Sequence, residues 1–250
     1  MDGKSAKKVS LVLPVYNEAG VIEKVLKEYY EEVIKKVQGS ELVVAEDGST
    51  DGTKEILARV SEEIPIRLIS GKERKGYVRA LKDASKLPKN EIVFFSDSGG
   101  GHDPKDFFKL YRYIDDYDIV MGYKSPRQDA WYRIVLSKGY NTLIGLLFGA
   151  WYKDIDCGFR LIRKECLDDV MPKVHTLTQC IASEFVIRAK KKGYRIKEVP
   201  ITHKKRDIKE IKTFSPKKIP KIVWEMFSGL IRLRVELFRK GTGKQKSLTL

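Results

Sequence analysis

From Val9 to Met121 short strand-forming runs alternate with stretches that carry apolar side chains at helical spacing. No other feature of the chain constrains its fold as strongly. The runs Val9–Val15 (VSLVLPV), Leu42–Ala45, Ile66–Ile69, Ile92–Phe95 and Ile119–Met121 read as strands. Helical patterns occupy Glu18–Val37, Thr53–Val60, Val78–Ala84 and Phe107–Ile114. Four or five such alternations predict a mostly parallel sheet with helices on both faces. A chain of 250 residues, 42% of them hydrophobic, is long enough for one substantial core and fits one domain with a tail better than two domains. In open sheets of this type ligands sit at the carboxyl ends of the strands, so the residues following each strand carry the functional information.

Beyond Met121 the pattern loosens. Trp131–Trp151 is apolar and aromatic but interrupted by Arg133, Lys138, Asn141 and glycines. It reads either as a core helix or as a membrane-contacting one. Ile181–Lys192 is helical, and Arg195–Ile201 alternates like an edge strand. Pro216–Arg239 is basic and amphipathic, with Ile222, Met226, Phe227, Leu230 and Leu233 among Lys217, Lys218, Arg232 and Arg234. Gly241–Leu250 is expected to be disordered. The domain limits follow as 8–206 for the α/β domain, 207–240 for the basic helical segment and 241–250 for the tail.

Three strand ends carry chemistry. The first is Pro14-Val15-Tyr16-Asn17-Glu18, which alone is compatible with a plain turn. The second, Glu46-Asp47-Gly48-Ser49-Thr50-Asp51-Gly52-Thr53, sets two acids at a strand tip before a Gly/Ser turn and a helix start. A turn does not require paired carboxylates, whereas recognition of a nucleobase can use them. The fourth strand ends in Asp97-Ser98-Gly99-Gly100-Gly101-His102-Asp103-Pro104. An acid leaving a strand into three glycines allows close approach of a diphosphate, directly or through a divalent metal. The Gly-Lys-Ser/Thr ending of a phosphate-binding P-loop is missing. Lys72–Gly76, between these tips, reads either as phosphate-facing cations or as a solvated turn.

The series Pro14–Glu18, Glu46–Thr53, Arg74–Gly76, Asp97–Pro104 and Asp154–Arg160, with Glu198-Val199-Pro200-Ile201, resembles the family 2 glycosyltransferases. Within them it is most similar to the polyprenyl-phosphate branch that includes dolichol-phosphate mannose synthase. The resemblance implies a GT-A (Rossmann-like) three-layer α/β fold with a mostly parallel central sheet, followed here by the C-terminal amphipathic helix. It implies an inverting transferase that moves a sugar from a nucleotide-sugar to a polyprenyl or dolichyl phosphate. Carried over by position, it places Pro14, Tyr16, Glu18, Glu46, Asp47, Lys75 and Ser98 at the nucleotide-sugar. Asp97 stands at the metal and the reaction centre, and Arg160, Glu184 and Arg206 at the phosphates or the acceptor. Each of the last three is equally open to a buried structural role.

The chain departs from the family's Asp-x-Asp motif, because Gly99 stands where the second acid belongs and Gly101 where a glutamine often follows. A Mg2+ or Mn2+ ion held by Asp97 alone would bind weakly unless the donor, water or Asp103 completes its shell. Three outcomes are open: a metal carried by the donor, replacement of the metal by cations such as Lys75, Arg160 and Arg206, or lost activity. A phosphate acceptor is already anionic and needs no general base; a hydroxyl acceptor would need one, with Glu184 the candidate. A soluble hydroxyl-directed transferase and a non-catalytic sugar-nucleotide binder are therefore the competing readings.

The formal charge of +15, from 49 Lys+Arg against 34 Asp+Glu, calls for a polyanionic partner. No recognition motif accompanies that charge, which sets nucleic acid aside in favour of phosphate substrates and anionic lipid. Three cysteines without metal-site spacing fit a reduced cytoplasm. The polar N-terminus lacks a signal-peptide core, and no run reaches a membrane span. The expected location is peripheral, on the cytoplasmic face of the cell membrane.

Overall fold

A computed structural model describes residues 7–204 and 219–242. Seven strands form one sheet: β1 (Val9–Val15), β2 (Glu41–Glu46), β3 (Ile66–Ser70), β4 (Ile92–Phe95), β5 (Ile119–Lys124), β6 (Arg160–Arg163) and β7 (Ile196–Ile201). Their spatial order is β3-β2-β1-β4-β6-β5-β7. Only β6 runs antiparallel to its neighbours, β4 and β5; every other pairing is parallel.

The sheet is buried on both faces, which is why β1 reads as a continuous apolar run. Val9, Leu11, Leu13 and Val15 point into one core with α1 (Ile22–Tyr29), α2 (Thr53–Glu63) and α4 (Phe107–Tyr111). Val12 points into the other, with α3 (Tyr77–Ala84), α6 (Lys164–Val170) and α7 (Ile181–Lys191). The pleat divides β4 in the same way, Phe94 to the first core and Phe95 to the second. The result is the expected three-layer α/β sandwich.

Several boundaries depart from the sequence pattern. The first helix begins at Ile22 rather than Glu18, because the Glu18 carbonyl accepts the N–H groups of Val21 (3.0 Å) and Ile22 (2.9 Å) in a preceding turn. It ends in a widened π turn over Tyr30–Ile34. The strand β6 and helix α6 have no counterpart in the periodicity reading. Arg-Leu-Ile-Arg is too short and too charged at its ends to announce a strand, and tertiary pairing with β4 and β5 decides it. Apolar Trp131–Trp151 is mostly α5 (Trp131–Phe148), which places Ile144 in the second core and packs Tyr140, Leu143, Leu147 and Phe148 against it while leaving Trp131, Val135 and Leu146 exposed. The edge position of β7 is as expected.

The basic amphipathic segment forms α8 (Ile219–Thr242), which extends two residues into the tail expected to be disordered; residues 243–250 lie outside the described residues. Leu230, Leu233 and Leu237 of α8 enter the second core. A buried polar network fixes it further. Glu184 of α7, completely buried, accepts the backbone N–H groups of His175 (2.9 Å), Thr176 (2.8 Å) and Leu177 (2.6 Å). Its other neighbour is Arg188 (2.7 Å), whose guanidinium also reaches Glu236 of α8 at 2.9 Å and the Thr176 hydroxyl at 3.2 Å.

Deleting one member of such a network strands the others in low dielectric. Glu184→Ala is therefore expected to cost about 3–5 kcal/mol, with α8 loosened, as read by urea denaturation and by proteolysis of the α8 junction. A loss below about 1 kcal/mol, the range of an exposed pair, would show that the network does not anchor the helix.

Candidate active site

The parallel order β2-β1-β4 brings three carboxyl ends to one edge. The Asp47 N–H donates to the Val15 carbonyl at 2.9 Å, and Ser96 N–H reaches Val12 at 3.4 Å, so the chain leaves β2 and β4 on either side of the β1 tip. Two inter-strand spacings separate those exits by about 10 Å. Asp47 and Asp97 thus flank the same end of the sheet.

The loops after β1 and β2 are laced together by side chains. Asn17, at φ +53°, donates its N–H to Ser49 Oγ (2.9 Å) and accepts from Thr50 N–H (2.8 Å) through Oδ1. Glu18 N–H donates to Thr53 Oγ1 at 2.9 Å. Asp51 accepts from Ala19 N–H (3.2 Å), Thr53 N–H (3.1 Å) and the Thr53 hydroxyl (2.5 Å). Ser49, Asp51 and Thr53, within the most specific motif of the sequence, are therefore braces. Gly48 (φ +72°) allows the close passage of the next loop, since a Cβ there would lie 2.5 Å from Arg74 N.

The two acids at the β2 tip divide their tasks. Glu46 is buried and accepts from Ser49 N–H and from Ser70 Oγ (2.7 Å). Burial alone would raise its pKa, but these hydrogen bonds and the nearby Lys54 hold it below the ordinary value. Asp47 closes the third loop by accepting Lys75 N–H (2.7 Å) and Gly76 N–H (3.0 Å). The Lys75 ammonium turns away to Asp83 at 3.0 Å and is well exposed. Arg74, by contrast, lays its guanidinium over the Tyr16 ring at 4.2 Å. At this tip the cation stacked on the expected nucleotide-side aromatic is therefore Arg74 and not Lys75.

At the β4 tip Asp97 is about a third exposed. One carboxylate oxygen rests against Gly158, where a Cβ would sit 2.2 Å away and push the Asp97 carboxylate from its present position. Ser98 beside it is buried. Arg160, 4% exposed, begins β6 and donates to the Cys157 carbonyl and, at 3.4 Å, to the Ala182 carbonyl. Asp156 accepts from the Ser183 N–H (3.2 Å) and hydroxyl (3.0 Å) at the start of α7. Asp97, Arg160, Pro14, Tyr77, Phe95 and Phe185 line a cleft of roughly 430 Å³ counted out to its open mouth.

Among the expected site residues the structure gathers Pro14, Tyr16, Glu18, Glu46, Asp47, Asp97, Ser98 and Arg160 at this edge. Glu184 needs correction as a candidate base: it is fully buried, with both oxygens engaged by three backbone N–H groups and Arg188. Arg206 lies outside the described residues. Pattern reading passed over Asn17, Arg74 and Gly158 as individuals, although each sits inside a motif it had marked. No group of three or more His, Cys, Asp or Glu side chains among the described residues is arranged to hold a metal ion. Asp97 is the one acid that the Gly99-containing loop presents at the cleft.

Residues 10–171 match the Glycosyl transferase family 2. The chain belongs to that family. It is 29% identical to the glycosyltransferase AglD of Haloferax volcanii over 77% of its own length, and it spans only 32% of AglD. The dolichyl-phosphate beta-glucosyltransferase of Trichomonas vaginalis is 26% identical, over 92% of this chain and 72% of that protein. Among solved structures, the mannosyltransferase PcManGT from Pyrobaculum calidifontis, in complex with GDP-Man and Mn2+, superimposes with a TM-score of 0.66 at 23% identity. The match covers 90% of this chain and 64% of PcManGT and supports the GT-A-like fold.

In this family 2 chain the depressed pKa of Glu46 has a sign that can be checked. A carboxylate lowered by folding stabilises the native state above its unfolded value, and the gain is lost as pH falls through the folded value. Glu46→Gln is thus expected to be less stable than wild type at neutral pH. The gap should narrow as the pH drops below 4.5, the ordinary glutamate value, in urea titrations across that range. A gap that widens on acidification would reverse the assignment.

Proposed function

We propose that the chain transfers a sugar from a nucleotide-sugar to a polyprenyl phosphate at a membrane surface. One observation carries this reading: the cleft at the sheet edge holds one partly exposed acid, Asp97, and one fixed cation, Arg160, in a mostly apolar wall. An amphiphile with an anionic head fits such a wall, and the dolichyl-phosphate relative points to the same acceptor class. Tyr16, Arg74 and Asp47 form the nucleotide side, and Pro14 lines the cleft with Asp97.

The chemistry is a direct displacement. An acceptor phosphate oxygen forms a bond to the anomeric carbon while the bond from that carbon to the donor diphosphate breaks, and the electron pair leaves with the nucleoside diphosphate. No proton has to move, so the engagement of Glu184 elsewhere is no obstacle; a hydroxyl acceptor would need another base. Arg160 cannot swing away, being tied to two carbonyls, and its preset charge stabilises phosphate oxygens without reorganisation. Asp97 can supply one ligand to a Mg2+ or Mn2+ ion, the rest coming from the donor's own oxygens and water. Such an ion would neutralise the leaving diphosphate.

The surface of α8 supports a membrane setting for the acceptor. Its inward stripe enters the core, but Trp224, Phe227, Ile231, Val235 and Phe238 form a second stripe that is exposed. At 100° per residue the two stripes are centred about 130° apart around the helix. Exposed Lys221, Arg232, Arg234 and Arg239 flank the outer one. A helix with an apolar outer face and basic margins lies in the plane of an anionic bilayer. No described helix is long and apolar enough to cross one. The surface facing the cytoplasm, rich in anionic lipid, is the proposed location.

Incubation with labelled UDP- and GDP-sugars, a polyprenyl phosphate and Mg2+ or Mn2+ is expected to yield a lipid-linked sugar, with Asp97→Asn lowering the rate at least a hundredfold, in the range of deleting an electrostatic catalytic group. Wild-type rates from that variant would refute the site. Sedimentation with phosphatidylglycerol vesicles is expected to capture the wild type and release it at high salt. Trp224→Glu with Phe227→Glu should abolish capture yet spare transfer to a short, water-soluble prenyl phosphate. Capture unchanged by those substitutions would rule out α8 as the contact.

A further inference from the structure

A polar chain runs through the first core to the β4 tip. The Tyr29 hydroxyl of α1 lies 2.5 Å from Ser96 Oγ, which lies 3.2 Å from His102 Nδ1. The other imidazole nitrogen, Nε2, is 3.8 Å from Asp97 Oδ2. Tyr29, Ser96 and His102 are 3% exposed or less, among Phe94, Phe107 and Phe159, whereas Asp97 reaches solvent. The imidazole has little freedom: its ring meets Phe159 edge-on at 5.3 Å, its backbone bridges His203, and Lys204 N–H donates to Gly101 at 3.0 Å.

The direction of the chain follows from its outer end. An ionised Asp97 only accepts hydrogen bonds, so the nitrogen facing it should carry the proton. In a neutral imidazole Nδ1 then accepts from Ser96, and Ser96 in turn from Tyr29. Burial raises the Tyr29 pKa, which keeps its proton on the donor side. Buried polar chains of this kind are costly unless every member is satisfied, and an apolar side chain would fill the same space without that cost.

We propose that His102 is a positioning residue for Asp97: a neutral imidazole, fixed as the Nε2–H tautomer by Tyr29 and Ser96, that orients the one carboxylate available to the donor diphosphate and its cation. A loop with Asp97 but with Gly99 in the place of a second acid lacks one source of order at this spot, and His102 supplies another from behind. The 3.8 Å separation is longer than a hydrogen bond and would close as a cation bound with the donor fixes the Asp97 carboxylate. The proposal rests on the reading of the cleft as a donor site.

Its test uses the full chain, with Mn2+ and UDP or GDP as probes in calorimetry. His102→Leu and Ser96→Ala are expected to weaken Mn2+-dependent nucleotide binding by roughly 10–100-fold, as loss of a ligand's supporting partner does. His102→Gln, which keeps a donor near the Nε2 position, should stay within a few fold of wild type. His102→Leu binding as tightly as wild type, or His102→Gln failing as badly as His102→Leu, would overturn the proposal. Histidine side-chain 15N shifts give a second readout that needs no ligand. The wild type should show a protonated Nε2, and Ser96→Ala should populate the other tautomer; a protonated Nδ1 in the wild type would contradict the relay. If the wild type binds neither nucleotide, the donor-site reading itself fails, and the tautomer decides the relay separately.

Discussion

The site depends on backbone N–H groups that parallel strands leave unpaired where they end. Strand tips that converge at one edge expose donors and need acceptors close by, since a buried unpaired N–H costs about 1–3 kcal/mol. In this chain carboxylates and hydroxyls meet that need. Glu46 takes Ser49, Asp47 takes Lys75 and Gly76, and Asp51 takes Ala19 and Thr53. The same acids that make the edge electronegative therefore hold three loops in register. Under the proposed donor reading, recognition and local folding are two consequences of one set of interactions, and Asp47 stands in both.

The region across the sheet from the nucleotide side is organised differently. There α7 acts as a junction. Its first turn holds Asp156 through Ser183 and Arg160 through the Ala182 carbonyl, while Glu184 in the same turn and Arg188 one turn on secure the 175–177 segment and α8. The proposed acceptor pocket and the proposed bilayer-facing helix are thus fixed to a single rigid element. A polyprenyl phosphate must pass from a lipid phase to a polar reaction centre, and a short, stiff connection between the two surfaces suits that path.

Much of this was legible from residues alone. Alternating β and helical patterns gave the three-layer sandwich because both sheet faces are buried and the strands are correspondingly apolar. Asp47, Asp97 and Pro14 were found because they follow strands directly, and in a parallel sheet that position means the ligand edge. Other features were hidden by physics that spacing does not encode. The strand β6 owes its existence to neighbours on both sides, and Glu184 looked like a base because sequence does not reveal that three backbone donors surround it. Lys75 and Arg74 are adjacent, yet one pairs with Asp83 and the other stacks on Tyr16, a distinction set by loop geometry. The Tyr29–Ser96–His102 chain joins residues up to 73 positions apart and has no linear signature.

The central claim is that the tips of β1, β2 and β4 form one sugar-nucleotide cleft. A backbone amide titration by NMR with UDP and with GDP, each with Mg2+, tests it most directly. Resonances of Tyr16, Asp47 and Ser98 should shift together along one binding curve with at least one of the two nucleotides. Shifts confined to the opposite, amino-terminal edge of the sheet, or none with either nucleotide, would contradict the account.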